Sequence, residues 1–219
     1  MYLADRITLA RLIIAPLAAT AYVVLPVDHQ LCFWVAGWLC GLAEFSDWLD
    51  GRVARARKEV SDFGKLADPF CDVFYRMLVY MTLILPAGGV GWLLEPGTAP
   101  QQSVYLVSQA GGNLTPGVGL MPWLPVVLMV MREIVQGAVR TLCASRGLIL
   151  AARWSGKFKA WIQGFVLISA LALPAFWGGR EPWILTVIAW GAWTAATVSV
   201  VSLAEYLWIN RRILAQITN

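Results

Sequence analysis

The sequence predicts an all-α, polytopic integral membrane protein with six transmembrane helices and both termini cytoplasmic. Three observations carry this prediction. Of the 219 residues 59% are hydrophobic and only 14% charged, with a mean hydropathy of +0.65, whereas soluble domains hold roughly 45–50% apolar residues. Apolar segments recur over 7–26, 31–49, 66–87, 121–145, 157–178 and 183–209, each close to the ~20 residues that cross a bilayer as a helix. Lys and Arg gather at one set of helix ends, as they do on a cytoplasmic face. Six spans with short connections leave no room for a separate soluble unit, so 1–219 is expected to be a single membrane domain.

The first segment, "MYLADRITLARLIIAPLAAT", starts basic but stays apolar to Pro26 without a convincing cleavage site, which reads as a retained first helix. "PVDHQ" separates it from the second, and a polar stretch from Asp47 to Asp72 joins the second to the third. Residues 87–121 are expected to form a long non-cytoplasmic loop rich in Gly and Pro, with "SVYLVSQA" in its middle read as irregular chain or, alternatively, as a short interfacial segment. "ASRGLILAARWSGK" and "GGREP" close the remaining connections.

Of 17 basic residues, 13 fall on one side of this topology: Arg6, Arg11, Arg52, Arg55, Arg57, Lys58, Lys65, Arg146, Arg153, Lys157, Lys159, Arg211 and Arg212. The net charge of +4 therefore reads as membrane orientation and attraction to anionic membrane lipids, with no nucleic acid as partner. Cys32, Cys40, Cys71 and Cys143 lie in or beside apolar segments without a CxxC pair and are expected to be buried free thiols. Trp34, Trp92, Trp123, Trp183 and Trp208 stand near helix ends as interface anchors.

Three arginines, Arg76, Arg132 and Arg140, lie inside spans. A charge within hydrocarbon costs on the order of 2.5–3.5 kcal/mol even on lenient scales, so these must face protein or a wet cavity. Glu133, Gln136 and Arg140 share one face of the fourth helix, with Arg132 at its edge. Internal pairing with Glu133 is one reading; a cavity for an anionic ligand is favoured, because arginine outnumbers carboxylate and guanidinium suits phosphate.

The stretch "DWLDGRVARARKEVSDFGKLADPFCD" carries the chemistry. On a helix continuing the second span, Asp47, Asp50, Gly51, Ala54 and Arg55 share a face. Carboxylates at i and i+3 suit a hard divalent cation, small residues let a bulky group approach the backbone, and Arg55 is placed for phosphate. Asp68 and Asp72 share a face at the start of the third helix, with Pro69 expected in its first turn and a turn near Ser61 to Gly64. Antiparallel packing would bring four carboxylates together, which repel unless cations lie between them.

The pattern DxxDGxxARx8GxxxDxxxD is matched in full over 47–72, and on it the chain resembles the CDP-alcohol phosphotransferases, membrane enzymes of phospholipid synthesis. The resemblance implies that Asp47, Asp50, Asp68 and Asp72 bind one or two Mg²⁺ or Mn²⁺ ions. It implies that Gly51, Ala54, Arg55 and Gly64 accommodate the CDP-linked donor and that Asp72 is the general base. A homodimer is likewise implied.

"TLARLIIAP", "REIVQGAVRTLCASRG" and "SGKFKAWIQ" resemble bacterial phosphatidylglycerophosphate synthases. That likeness implies CDP-diacylglycerol as donor, glycerol 3-phosphate as acceptor, and a place in the bacterial cytoplasmic membrane with the active site facing the cytoplasm. Arg132, Arg140, Lys157, Lys159 and, behind them, Arg76 are then candidates for binding the acceptor phosphate. Many of those enzymes have Lys after the last aspartate, where this chain has Val73. Inositol phosphate, serine or phosphatidylglycerol as acceptor keeps the same chemistry. A divalent-cation transporter is a further alternative, disfavoured because transport sites lie near the midplane.

Overall fold

A computed structural model describes residues 3–25, 30–57, 62–85, 87, 119–146, 154–177 and 182–218. Six helices lie among them: α1 (Leu3–Val24), α2 (Leu31–Arg57), α3 (Asp62–Thr82), α4 (Trp123–Ser145), α5 (Trp154–Trp177) and α6 (Pro182–Thr218). The protein is all-α over the described residues. By length and composition α1, α5 and α6 hold stretches apolar enough to cross a membrane, over Ile7–Val24, Gly156–Trp177 and Trp183–Arg211. The other three helices, of 27, 21 and 23 residues, are also long but diluted by charge: Glu44 and Asp47 on α2, Asp72 and Arg76 on α3, Arg132, Glu133 and Arg140 on α4.

Small buried residues bring α1 and α2 together. Ala15, Ala18, Cys32, Ala36, Cys40 and Ala43 are all buried to 1% exposure or less, and such residues let helix backbones approach closely where lipid offers no hydrophobic drive. α1 packs on α2 and α3, α5 bridges from α2 to α6, and α6 packs on α4. Tyrosines tie the layers through backbone carbonyls. Tyr75 donates to Cys40 O at 3.1 Å, Tyr80 to Gln163 O at 2.7 Å and Tyr22 to Leu85 O at 3.0 Å. Facing outward, Trp161, Phe165 and Trp190 are 82%, 75% and 70% exposed, as suits side chains in contact with lipid rather than water.

Two local expectations are corrected. α3 starts at Asp62, so Pro69 sits inside the helix and Gly64 lies within its opening turns rather than in the connecting turn. These polar turns carry no apolar periodicity to announce a helix, yet they extend one that is already anchored by packing further along. The four cysteines are free and buried, as expected.

Of the 87–121 connection, residues 88–118 lie outside the described residues, and its two ends are joined. Met121 N donates to Leu83 O at 3.0 Å, and a Cβ added at Gly119 would lie 2.0 Å from Ile84 O. Gly119→Ala is expected to lower stability by about 1–3 kcal/mol through this overlap. Gly41→Ala, where nothing lies within 4 Å of the added carbon, should be neutral or slightly stabilising. Thermal unfolding of both variants in detergent checks the difference.

Candidate active site

Acidic residues of α2 and α3 meet α1 at Arg11, about two turns inside that helix. Arg11, with no exposure at all, places Nη1 2.8 Å from Asp47 Oδ1 and 3.9 Å from Asp72 Oδ1. The two ends of the acidic motif therefore meet at one guanidinium. Asp50 is one turn beyond Asp47 on α2, and Asp68 one turn before Asp72 on α3. Their side chains, with those of Gly51, Ala54, Arg55 and Gly64, lie outside the described residues. Among the described residues no three acidic, Cys or His side chains gather as a metal site. What the described pair contributes is carboxylate oxygen on two helices that both pack on α1, and such hard donors fit Mg²⁺ or Mn²⁺.

From Asp72 the charges continue inward. Arg76 Nη2 stands 3.3 Å from Asp72 Oδ1 and 3.0 Å from Glu44 Oε2, its Nε donates to Glu44 Oε1 at 3.2 Å, and its Nη1 donates to Ala160 O at 3.0 Å. Carboxylates and guanidiniums thus alternate from Asp47 through Arg11, Asp72 and Arg76 to Glu44.

On the other side of Asp72 opens a cavity of about 800 Å³ between α3, α4, α5 and α6. Its polar wall brings together four of the basic residues singled out from sequence: Arg132, Arg140, Lys157 and Lys159. Arg132 and Lys159 are buried, at 4% and 6% exposure, while Lys157 and Arg140 are exposed. Glu133 accepts from Arg132 Nη1 at 3.0 Å and also from Lys159 Nζ, and Arg132 Nη2 donates to Ser202 Oγ on α6 at 3.1 Å. Glu133 is thus internally paired, and the same α4 face lines a cavity. Arg76 stands apart from this wall, engaged by Glu44 and Asp72.

Much of the remaining lining is apolar, with Phe70, Phe74, Leu78 and Met81 of α3 and Ile134 of α4. Sequence reasoning missed Glu44 altogether and took Arg11 for an orientation marker. A carboxylate isolated inside an apolar run, as Glu44 is, carries the same signal that singled out the interior arginines.

The chain belongs to the CDP-alcohol phosphatidyltransferase family, whose sequence model matches residues 1–201. It is therefore a membrane transferase of phospholipid biosynthesis. It is 27% identical to the CDP-diacylglycerol--glycerol-3-phosphate 3-phosphatidyltransferase of Bacillus subtilis, over 78% of this chain and 76% of that one. A protein of the same name from Sodalis glossinidius is 27% identical over 94% of this chain and 92% of its own length. Similarity extends to the second such enzyme of Arabidopsis thaliana, 32% identical over 76% of this chain, which spans 62% of that longer protein.

Removing the Arg11 guanidinium leaves two carboxylates facing each other between helices. Asp47 keeps 40% of its side chain exposed, so water recovers part of the loss, and Arg11→Met is expected to cost about 1–3 kcal/mol rather than the full penalty of a buried pair. Arg11→Lys keeps the charge without the fork and should fall between. Melting temperatures of the purified variants in detergent measure the order.

Proposed function

We propose that this protein transfers the phosphatidyl group of CDP-diacylglycerol to glycerol 3-phosphate, giving phosphatidylglycerophosphate and CMP. We place it in the bacterial cytoplasmic membrane as a homodimer, with six spans, cytoplasmic termini and the active site on the cytoplasmic side. The observation that carries the reading is the cavity beside Asp72. Four cationic side chains line it against two carboxylates, Asp72 and Glu133, and the surplus of two positive charges matches a phosphate dianion. The names of the relatives favour the same acceptor.

In this reading the acceptor phosphate binds among Arg132, Arg140, Lys157 and Lys159, which aims the hydroxyl end of the small alcohol at Asp72. Asp72 takes the hydroxyl proton as the oxygen forms its bond to the phosphorus that carries the lipid; the bond from that phosphorus to the CMP oxygen breaks, and CMP departs with the electron pair. Gly51, Ala54 and Gly64 leave space for the cytidine and diphosphate, and Arg55 pairs with phosphate. One or two Mg²⁺ or Mn²⁺ ions held by Asp47, Asp50, Asp68 and Asp72 would neutralise the diphosphate charge. The apolar lining of the cavity suits a lipid-linked substrate.

Purified protein given CDP-diacylglycerol and Mg²⁺ or Mn²⁺ should release CMP with glycerol 3-phosphate and not with serine, inositol phosphate or phosphatidylglycerol. Turnover with one of the others alone would reassign the acceptor. Chelation should abolish release, and added metal restore it. Asp72→Asn is expected to lower kcat by about 10²–10⁴-fold, the usual worth of a general base. Arg140→Ala should raise KM for glycerol 3-phosphate by about tenfold or more with a smaller effect on kcat, the signature of lost ground-state binding.

A further inference from the structure

Glu44 lies outside the acidic motif and does not line the cavity. It occupies α2 one turn before Asp47, and its carboxylate takes the Arg76 guanidinium in a two-pronged grip through Nε at 3.2 Å and Nη2 at 3.0 Å. With Nη1 on Ala160 O, each nitrogen of Arg76 has a partner. A pair serving cohesion alone would end there, but Nη2 also stands 3.3 Å from Asp72 Oδ1. Arg76 is buried, at 6% exposure, and a planar fork held at both edges has little freedom to swing.

α5 completes the clamp. A Cβ added at Gly164 would lie 3.2 Å from Glu44 Oε2 and 3.3 Å from Oε1, closer than an ordinary contact. Glycine at this position leaves the carboxylate the room it fills. Three helices thereby converge on the orientation of one side chain.

We propose that Glu44 and Arg76 are positioning residues for Asp72: Glu44 fixes the plane of the guanidinium, and the guanidinium fixes the carboxylate at the cavity wall. Neither touches substrate. Arg76 thus leaves the acceptor-phosphate cluster to Arg132, Arg140, Lys157 and Lys159. The assignment rests on Asp72 as the general base, since reactions of this kind are sensitive to displacements of an ångström or less at the reacting groups.

The test is steady-state CMP release by the full chain in detergent, with CDP-diacylglycerol and glycerol 3-phosphate varied separately. Glu44→Gln should lower kcat by about 10–100-fold, as loss of a supporting contact does, while KM for both substrates stays within about twofold of wild type. Gly164→Ala, which displaces the carboxylate without removing it, should lower kcat several-fold with the same constancy of KM. Arg76→Lys, keeping charge without the fork, should fall between wild type and Glu44→Gln.

Melting temperatures accompany each variant, and if Glu44→Gln does not fold, Gly164→Ala decides. Wild-type kcat in folded Glu44→Gln and Gly164→Ala overturns the pair alone. A raised acceptor KM at unchanged kcat in Arg76→Lys also overturns it and returns Arg76 to phosphate binding. Wild-type protein that releases CMP with none of the four alcohols overturns the transferase reading, and the pair with it.

Discussion

A fully buried guanidinium, Arg11, is the point on which the acidic half of this protein depends. It draws Asp47 of α2 and Asp72 of α3 to one place on α1. Charges inside a low-dielectric interior are tolerated only when each has a partner of opposite sign and good geometry. Once Arg11 and Arg76 are inside, the carboxylates around them are held in fixed positions. Helices whose own apolar content is diluted by charge are thus bound to the bundle by the residues that dilute them.

Beyond Asp72 the charge balance changes sign. The α1–α3 side alternates three carboxylates with two arginines, whereas the α4–α6 side pairs Arg132 and Lys159 with Glu133 and adds Arg140 and Lys157 to the same cavity. One suits a cation and the other an anion, with Asp72 at their boundary. Apolar lining from Phe70, Phe74 and Leu78 completes the cavity. The proposed reaction, which joins a lipid to a small charged alcohol, needs surfaces of both kinds within reach of one reacting group.

Much of this was legible in the sequence because the informative spacings are local. Asp47 with Asp50 and Asp68 with Asp72 declare a shared helix face within one turn, and arginines in hydrocarbon declare a polar interior by their expense. What stayed hidden depends on tertiary pairing. Nothing near Lys159 says that it meets Glu133, 26 residues away on another helix, or that Arg76 reaches back 32 residues to Glu44. Arg11 looked like one more cytoplasmic marker because its position near the start of a helix suits that role equally well. The opening turns of α3 were missed because their polar sequence has no apolar rhythm.

The hydrogen bond from Met121 N to Leu83 O bears on how this chain tolerates change. It pins the two ends of the longest connection side by side, so the bundle does not rely on that connection's length to hold α3 and α4 in register. Closing a flexible loop grows costlier only with the logarithm of its length, about 0.6 kcal/mol for each doubling. An epitope, a fluorophore or a crystallisation partner added to the sequence within 88–118 would therefore cost little in chain entropy.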